Sequence, residues 1–137
     1  PVLSATAFRA GWFYSGDVGC LTAENSHFGK QLVFHGRSDD MMVLNSLNLF
    51  PAEIERVMET FPGVVECAAF PMRSPVHGDI PVLAVVAPEH VDLDAMMAFG
   101  RARLGLRAPR KIVPVPRLAR NAAGKVVRRD LPSLLDR

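Results

Sequence analysis

Apolar residues recur along this chain with two different periods. Between Pro51 and Phe61, Ile54, Val57, Met58 and Phe61 fall at i, i+3, i+4 and i+7, which puts one apolar face on a predicted helix. Pro51 suits its first turn, where a missing N–H does no harm, and Glu53 and Glu55 complement the positive end. Pro62-Gly63 ends it. Val64 to Met72, apolar around Glu66, reads as a buried strand. After a loop from Arg73 to Ile80, Pro81 to Ala87 is a second run of strand length, and two such runs predict neighbours in one sheet. Asp92 predicts the cap of a helix from Leu93 to Leu104, with Leu93, Met96, Met97 and Leu104 inward and Gly105 as its stop. Gly100 weakens that helix modestly. Ile112 to Val115 predicts a third strand, placed at an edge because Pro114 cannot donate to a ladder. Val127 to Leu135 predicts a short last helix with Pro132 in its first turn.

Residues 1–35 have a different texture. Trp12-Phe13-Tyr14 and Gln31 to His35 are strand candidates, with Ser15-Gly16-Asp17 stopping the first and Asn25 to Lys30 connecting the two. Two strands cannot bury both their faces, so this stretch is expected at the edge of a larger body. Gly36-Arg37-Ser38-Asp39-Asp40 then breaks the pattern before a new apolar strand at Met41-Met42-Val43-Leu44. A polar linker of this kind marks a domain boundary and can act as a hinge. The expected architecture is α+β. Residues 1–38 form a β-rich segment of an adjoining domain plus the hinge, and residues 39–137 form a small three-stranded sheet with flanking helices.

Composition narrows the class. The 137 residues are 49% hydrophobic, enough to bury one core, and no apolar run is long enough to span a bilayer. The chain does not begin with methionine, so we expect a piece of something longer. Nothing at its start reads as an export signal, and Cys20 and Cys67 form no Cys-x-x-Cys pair, so a cytoplasmic, reducing setting is expected. His27, His35, His77 and His90 lack metal-ligand spacing, and no metal site is expected in the chain itself. The net charge of +2 hides a division: residues 101–137 carry eleven basic side chains against Asp130 and Asp136. Such a tail attracts anions, whether phosphorylated small molecules, nucleic acid or a membrane surface, and it also fits an ordinary solvated face.

One lysine stands apart. In Arg120-Asn121-Ala122-Ala123-Gly124-Lys125, Asn121 and Gly124 tolerate tight-turn backbone, so Lys125 is expected at the lip of a loop. A fixed cation there suits a reaction that builds negative charge on phosphate, although a solvated basic loop would look the same. Three clusters stand in one order: Gly11-Trp12-Phe13-Tyr14-Ser15-Gly16-Asp17, then Gly36-Arg37-Ser38-Asp39-Asp40 running into Pro51-Ala52-Glu53-Ile54-Glu55, then Arg120 to Lys125. Together they closely resemble the C-terminal part of the adenylate-forming superfamily, which includes acyl-CoA synthetases, acyl-AMP ligases and peptide-synthetase adenylation domains. The resemblance covers Gly11 to Leu131.

That resemblance implies an enzyme that activates a carboxylate with ATP to an acyl-adenylate and passes the acyl group to a thiol. It implies a small mobile C-terminal domain working against a large N-terminal one. Asp17 resembles the carboxylate that accepts from both ribose hydroxyls, Arg37 a second nucleotide contact, and Asp39 the hinge residue. Lys125 resembles the lysine that meets the acyl carboxylate and the α-phosphate. Arg110, Lys111, Arg120, Arg128 and Arg129 are read as candidates to lie near the phosphates of ATP or coenzyme A.

Ser46 stands where the family usually has glycine, in a loop along the pantetheine path, and its side chain would crowd that path. Val43 for lysine, Leu106 for tyrosine and Ser15 for threonine are further departures. The implied partners are the N-terminal adenylation domain, a carboxylic acid, and coenzyme A or the phosphopantetheine of an acyl carrier protein. Mg²⁺ is expected with ATP, bound mainly outside this fragment. No phosphate loop or acyl pocket occurs in the chain, so the piece alone is not expected to turn over. The wording around Met41 to Pro51 is closer to the acyl-CoA synthetase branch. The rival reading is a noncatalytic module that docks a carrier protein or binds nucleic acid through the basic tail.

Overall fold

The structure, a computed structural model, describes residues 7–22 and 29–136. It contains two compact units, one ending at Met41 and one spanning Met42–Arg137. The connection read over 25–30 and the histidine at 27 lie wholly or partly outside the described residues. No described helix is long and apolar enough to cross a membrane.

The first unit is two ribbons. Strands β1 (Phe8–Arg9) and β2 (Trp12–Phe13) pair antiparallel, and β3 (Asp17–Leu21) pairs antiparallel with β4 (Leu32–Arg37). The pairing expected between the Trp12 run and residues 31–35 does not form. Ala10 and Gly11, both at positive φ, close the Trp12 run locally onto Phe8 and Arg9. The partner of β4 is the stretch after Gly16, which contains Gly19. A Cβ at Gly19 would lie 2.6 Å from the Val33 carbonyl oxygen, so this bulged strand reaches β4 only with glycine there. The polar linker is part strand and part 3-10 turn over Ser38–Asp40.

The second unit holds a five-stranded sheet, two strands more than expected. A hairpin of β5 (Met42–Leu44) and β6 (Leu47–Leu49) joins through the Leu44↔Gly78 pair. Long strands β7 (Glu66–Ser74) and β8 (Gly78–Val86) are antiparallel neighbours, and β9 (Lys111–Pro114) runs parallel to β8 at the sheet edge foreseen for Pro114. The buried carboxylate of Asp79 secures the hairpin by accepting the Val43 N–H at 3.0 Å while pairing with Arg73.

Alternation along β7 and β8 sorts their side chains onto two faces. Cys67, Ala69, Leu83 and Val85 meet Ile54, Met58 and Met96 from the helices α1 (Pro51–Met58) and α2 (Leu93–Leu104). Ala68, Phe70, Val82 and Ala84 meet Leu118 and Leu131 from the C-terminal segment. Helix α1 ends at Met58, short of the expected Phe61, whose ring turns to pack edge-on against Phe99 at 5.3 Å. Helix α2 has the foreseen bounds: the Asp92 carboxylate accepts the Ala95 N–H at 2.9 Å, and Gly105 stops the helix at φ 56°. Met97 is only half-buried. The last segment, Arg128–Asp136, is 3-10 rather than α-helical, with Pro132 in its interior where it supplies no N–H and would clash with an α-helical turn.

Candidate functional site

In the first unit, pairing across β3 and β4 sets Asp17 directly opposite Arg37. The two open onto a hollow of about 760 Å³ lined by Tyr14, Ser15, Gly16, Asp17, Arg37 and Asp39, among others. Arg37 donates to the Asp17 carboxylate at 3.3 Å, to Asp39 at 3.4 Å and to the Ser15 carbonyl. All three side chains keep substantial exposure. Gly16 turns the chain at φ 79°, and a Cβ there would sit 2.9 Å from the Arg37 guanidinium. Ser38 ties the far wall by donating its N–H and hydroxyl to the Gly16 carbonyl at 2.8 and 3.0 Å. The result is a carboxylate with free acceptor capacity and a pre-oriented guanidinium at the rim of an open concavity. That donor and acceptor set fits a ribose diol and phosphate oxygens. Ser15 and Ser38 stand in the same sequence clusters as Asp17 and Arg37, and the β3–β4 register brings the two clusters together into one wall.

In the second unit, Lys125 is exposed at the end of a braced turn. The Asn121 side-chain oxygen accepts the Ala123 and Lys125 N–H groups, each at 3.0 Å. The Asn121 N–H donates to the Lys125 carbonyl at 2.8 Å, and the Gly124 N–H donates to the Asn121 carbonyl at 2.9 Å. Gly124 supplies the left-handed step at φ 76°, and Arg120 and Val126 bridge the base. An ammonium carried by this backbone is held out from a defined point.

Ser46 lies with Asn45 in the two-residue turn of the β5–β6 hairpin, at φ 68° and 46° respectively. The turn rests on the next loop, where the Asn45 N–H donates to the His77 carbonyl at 3.0 Å. The position is thus one where the backbone itself favours glycine. The basic tail needs correction. Arg128 is not available to phosphates: its guanidinium is bound by the Glu55 carboxylate and donates to the Ala69 carbonyl at 3.0 Å. Arg120 is likewise engaged, by Glu66 and the Gly124 carbonyl. Arg107 faces Glu53 at 3.5 Å. Arg110 and Lys111 remain exposed, and Arg129 reaches only Asp130 at 3.7 Å. The Cys67 thiol is pushed up to about 12, first by burial and then by the nearby carboxylates of Glu55 and Glu59. It is therefore not a nucleophile.

The chain is similar to known proteins along almost all of its length. The chain is 33% identical to 2-succinylbenzoate–CoA ligase of Geobacillus kaustophilus, over 98% of its own length and 27% of that protein's. It is 31% identical to feruloyl-CoA synthase of an Amycolatopsis species, over 93% of its length and 26% of the relative's. The chain therefore spans about a quarter of the curated relatives it matches. Among solved structures, o-succinylbenzoate CoA synthetase from Bacillus subtilis, in complex with its acyl-adenylate intermediate, superposes with a TM-score of 0.82 at 28% identity. That match covers 93% of this chain and 25% of that one. The family described as the AMP-binding enzyme C-terminal domain matches residues 53–125, so the chain belongs to that family of adenylate-forming enzymes.

Proposed function

We propose that this chain is the C-terminal portion of an ATP-dependent carboxylic acid–CoA ligase, which makes an acyl-adenylate and transfers the acyl group to a thiol. The observation that carries this reading is the braced turn presenting Lys125. In the first half-reaction a carboxylate oxygen attacks the α-phosphorus of ATP and pyrophosphate leaves. Charge grows on oxygens that Lys125 neutralises without reorganising. The Asp17 carboxylate accepts from the ribose hydroxyls, and Arg37, oriented by Asp17 and Asp39, supplies donors at the same nucleotide. Asp39 sits in the short 3-10 turn ahead of the second unit and serves as the pivot between half-reactions. The acceptor is coenzyme A or a carrier-protein phosphopantetheine. The Mg²⁺ that accompanies ATP is held mainly by the N-terminal adenylation domain. Two free cysteines fit a cytoplasmic location.

The test is made in the full-length enzyme. Lys125→Ala removes a positioned cation worth about 3–4 kcal/mol, so ATP–pyrophosphate exchange falls by a factor of roughly 10² to 10³. Thioester formation from preformed acyl-adenylate persists. An exchange rate equal to wild type rejects the reading. The rival, a noncatalytic module acting through its basic tail, would bind nucleic acid with a steep salt dependence and without need of Asp17; three of the tail's basic side chains, Arg107, Arg120 and Arg128, are held by Glu53, Glu66 and Glu55.

A further inference from the structure

The turn that carries Lys125 has a strut outside itself. Arg120 spreads its guanidinium between two acceptors: one Nη donates to the carbonyl of Gly124 at 2.8 Å, and the other is bound by the Glu66 carboxylate. Gly124 is the residue immediately before Lys125, so this contact acts on the peptide from which the ammonium projects. Glu66 belongs to a different and stiffer part of the molecule. It opens β7, pairs with Val86 of the central strand, and is preceded by Val65, whose N–H donates to the Val86 carbonyl at 2.9 Å. The bonds centred on Asn121 shape the turn but are internal to residues 121–125. They do not themselves reach the sheet; Leu118 before the turn and Val126 and Arg128 after it anchor its two ends, and the contact on the Gly124 peptide itself is the one made by Arg120 and Glu66.

We infer that Arg120 and Glu66 together form a positioning pair that fixes the Lys125 turn to the sheet, so that the lysine arrives at the α-phosphate already aimed. This rests on the role proposed for Lys125. Arginine suits the task because its planar fork serves two acceptors in different directions at once, where a lysine ammonium on a flexible stem would not hold both. A displacement of about 1 Å in a catalytic group can cost about a hundredfold in rate, so a strut of this kind acts on adenylation without touching substrate. The pair is partly exposed, with Arg120 at 47% and Glu66 at 28%, so it is not a core element whose loss would unfold the domain.

The experiment uses the full-length enzyme and three readouts: ATP–pyrophosphate exchange, thioester formation from preformed acyl-adenylate, and thermal unfolding. Arg120→Ala and Glu66→Ala are each expected to lower the exchange kcat by about 10- to 100-fold, with the KM for ATP, the thioester step and Tm near wild type. In a Lys125→Ala background neither substitution lowers exchange further. Glu66→Gln, which keeps an acceptor for Arg120, retains more exchange activity than Glu66→Ala. The inference is overturned if Glu66→Ala exchanges at the wild-type rate, or if Arg120→Ala raises the KM for ATP while sparing kcat, the signature of a direct phosphate contact. Equal losses in both half-reactions with a lowered Tm also overturn it. A Lys125→Ala enzyme with undiminished exchange is a separate result, and it removes the role of the lysine rather than of the pair.

Discussion

Single residues carry most of the chemistry proposed for this chain, and several sit where the backbone limits what can replace them. Ser46 is the simplest case. A non-glycine residue at φ 68° carries a steric cost of about 1 kcal/mol, and glycine gives back roughly half of such a gain through its greater freedom when unfolded. Ser46→Gly is therefore expected to stabilise the chain by about 0.5 kcal/mol, read as a rise in denaturation midpoint at constant slope. A lower midpoint would mean that the hydroxymethyl group makes contacts outweighing the strain. Cys67 gives a pH signature. Its folded value near 12 lies above the ordinary 9.0, so the unfolded thiol ionises first. The resulting stability is fully present below pH 9 and is lost as pH rises toward 12. Unfolding measured across that window should depend on pH more steeply in the wild type than in Cys67→Ala. Alkylation of the native chain should modify exposed Cys20 and spare Cys67.

Between elements, the connection that matters most is made by Arg128 and Glu55. Glu55 on α1 accepts the Ala69 N–H of β7 at 2.7 Å and binds Arg128 from the C-terminal segment, joining both faces of the sheet. Arg128→Ala leaves the Glu55 carboxylate, 14% exposed, without its cation, and a loss of about 3–5 kcal/mol is expected. Adding Glu55→Met to an Arg128→Met chain removes the unpaired charge but leaves the Ala69 N–H and carbonyl without these partners, so only part of the loss should be recovered. A second element contact explains a glycine that propensity disfavours. Gly100 of α2 is buried, and a Cβ there would lie 3.0 Å from the Met58 sulfur and 3.6 Å from Pro109. Alanine would gain about 1 kcal/mol of helix propensity and lose about 1–3 kcal/mol to overpacking against a fully buried neighbour. Gly100→Ala is thus expected to lower Tm. The amphipathic period made both helices legible from the residues alone, whereas the packing of α1 on α2 that makes Gly100 necessary has no local signature.

At the scale of the whole chain, the two units differ in what they can do unaided. Gly36 is the one fully buried position among the described residues of the first unit, while Phe8, Trp12, Phe13, Tyr14 and Phe34 remain exposed. The second unit buries Met42, Leu49, Ile54, Met58, Phe70, Leu83 and Met96 almost completely. Residues 42–137 alone should therefore unfold in one cooperative transition, and residues 1–41 alone should show none, by calorimetry or circular dichroism.

Apolar period, capping residues and proline placement determined the α+β class, both helices, the long strands β7 and β8, and the edge position of β9, because each follows from neighbours within a few positions in the chain. The order of three short motifs likewise pointed to the family. Tertiary structure alone decided the β5–β6 hairpin's place in the sheet, the pairing of β3 with β4 that sets Asp17 against Arg37, and which arginines of the basic tail are committed to Glu53, Glu55 and Glu66. Those are pairings between residues far apart in sequence. Their partners are chosen by register and close packing, which short-range pattern does not encode.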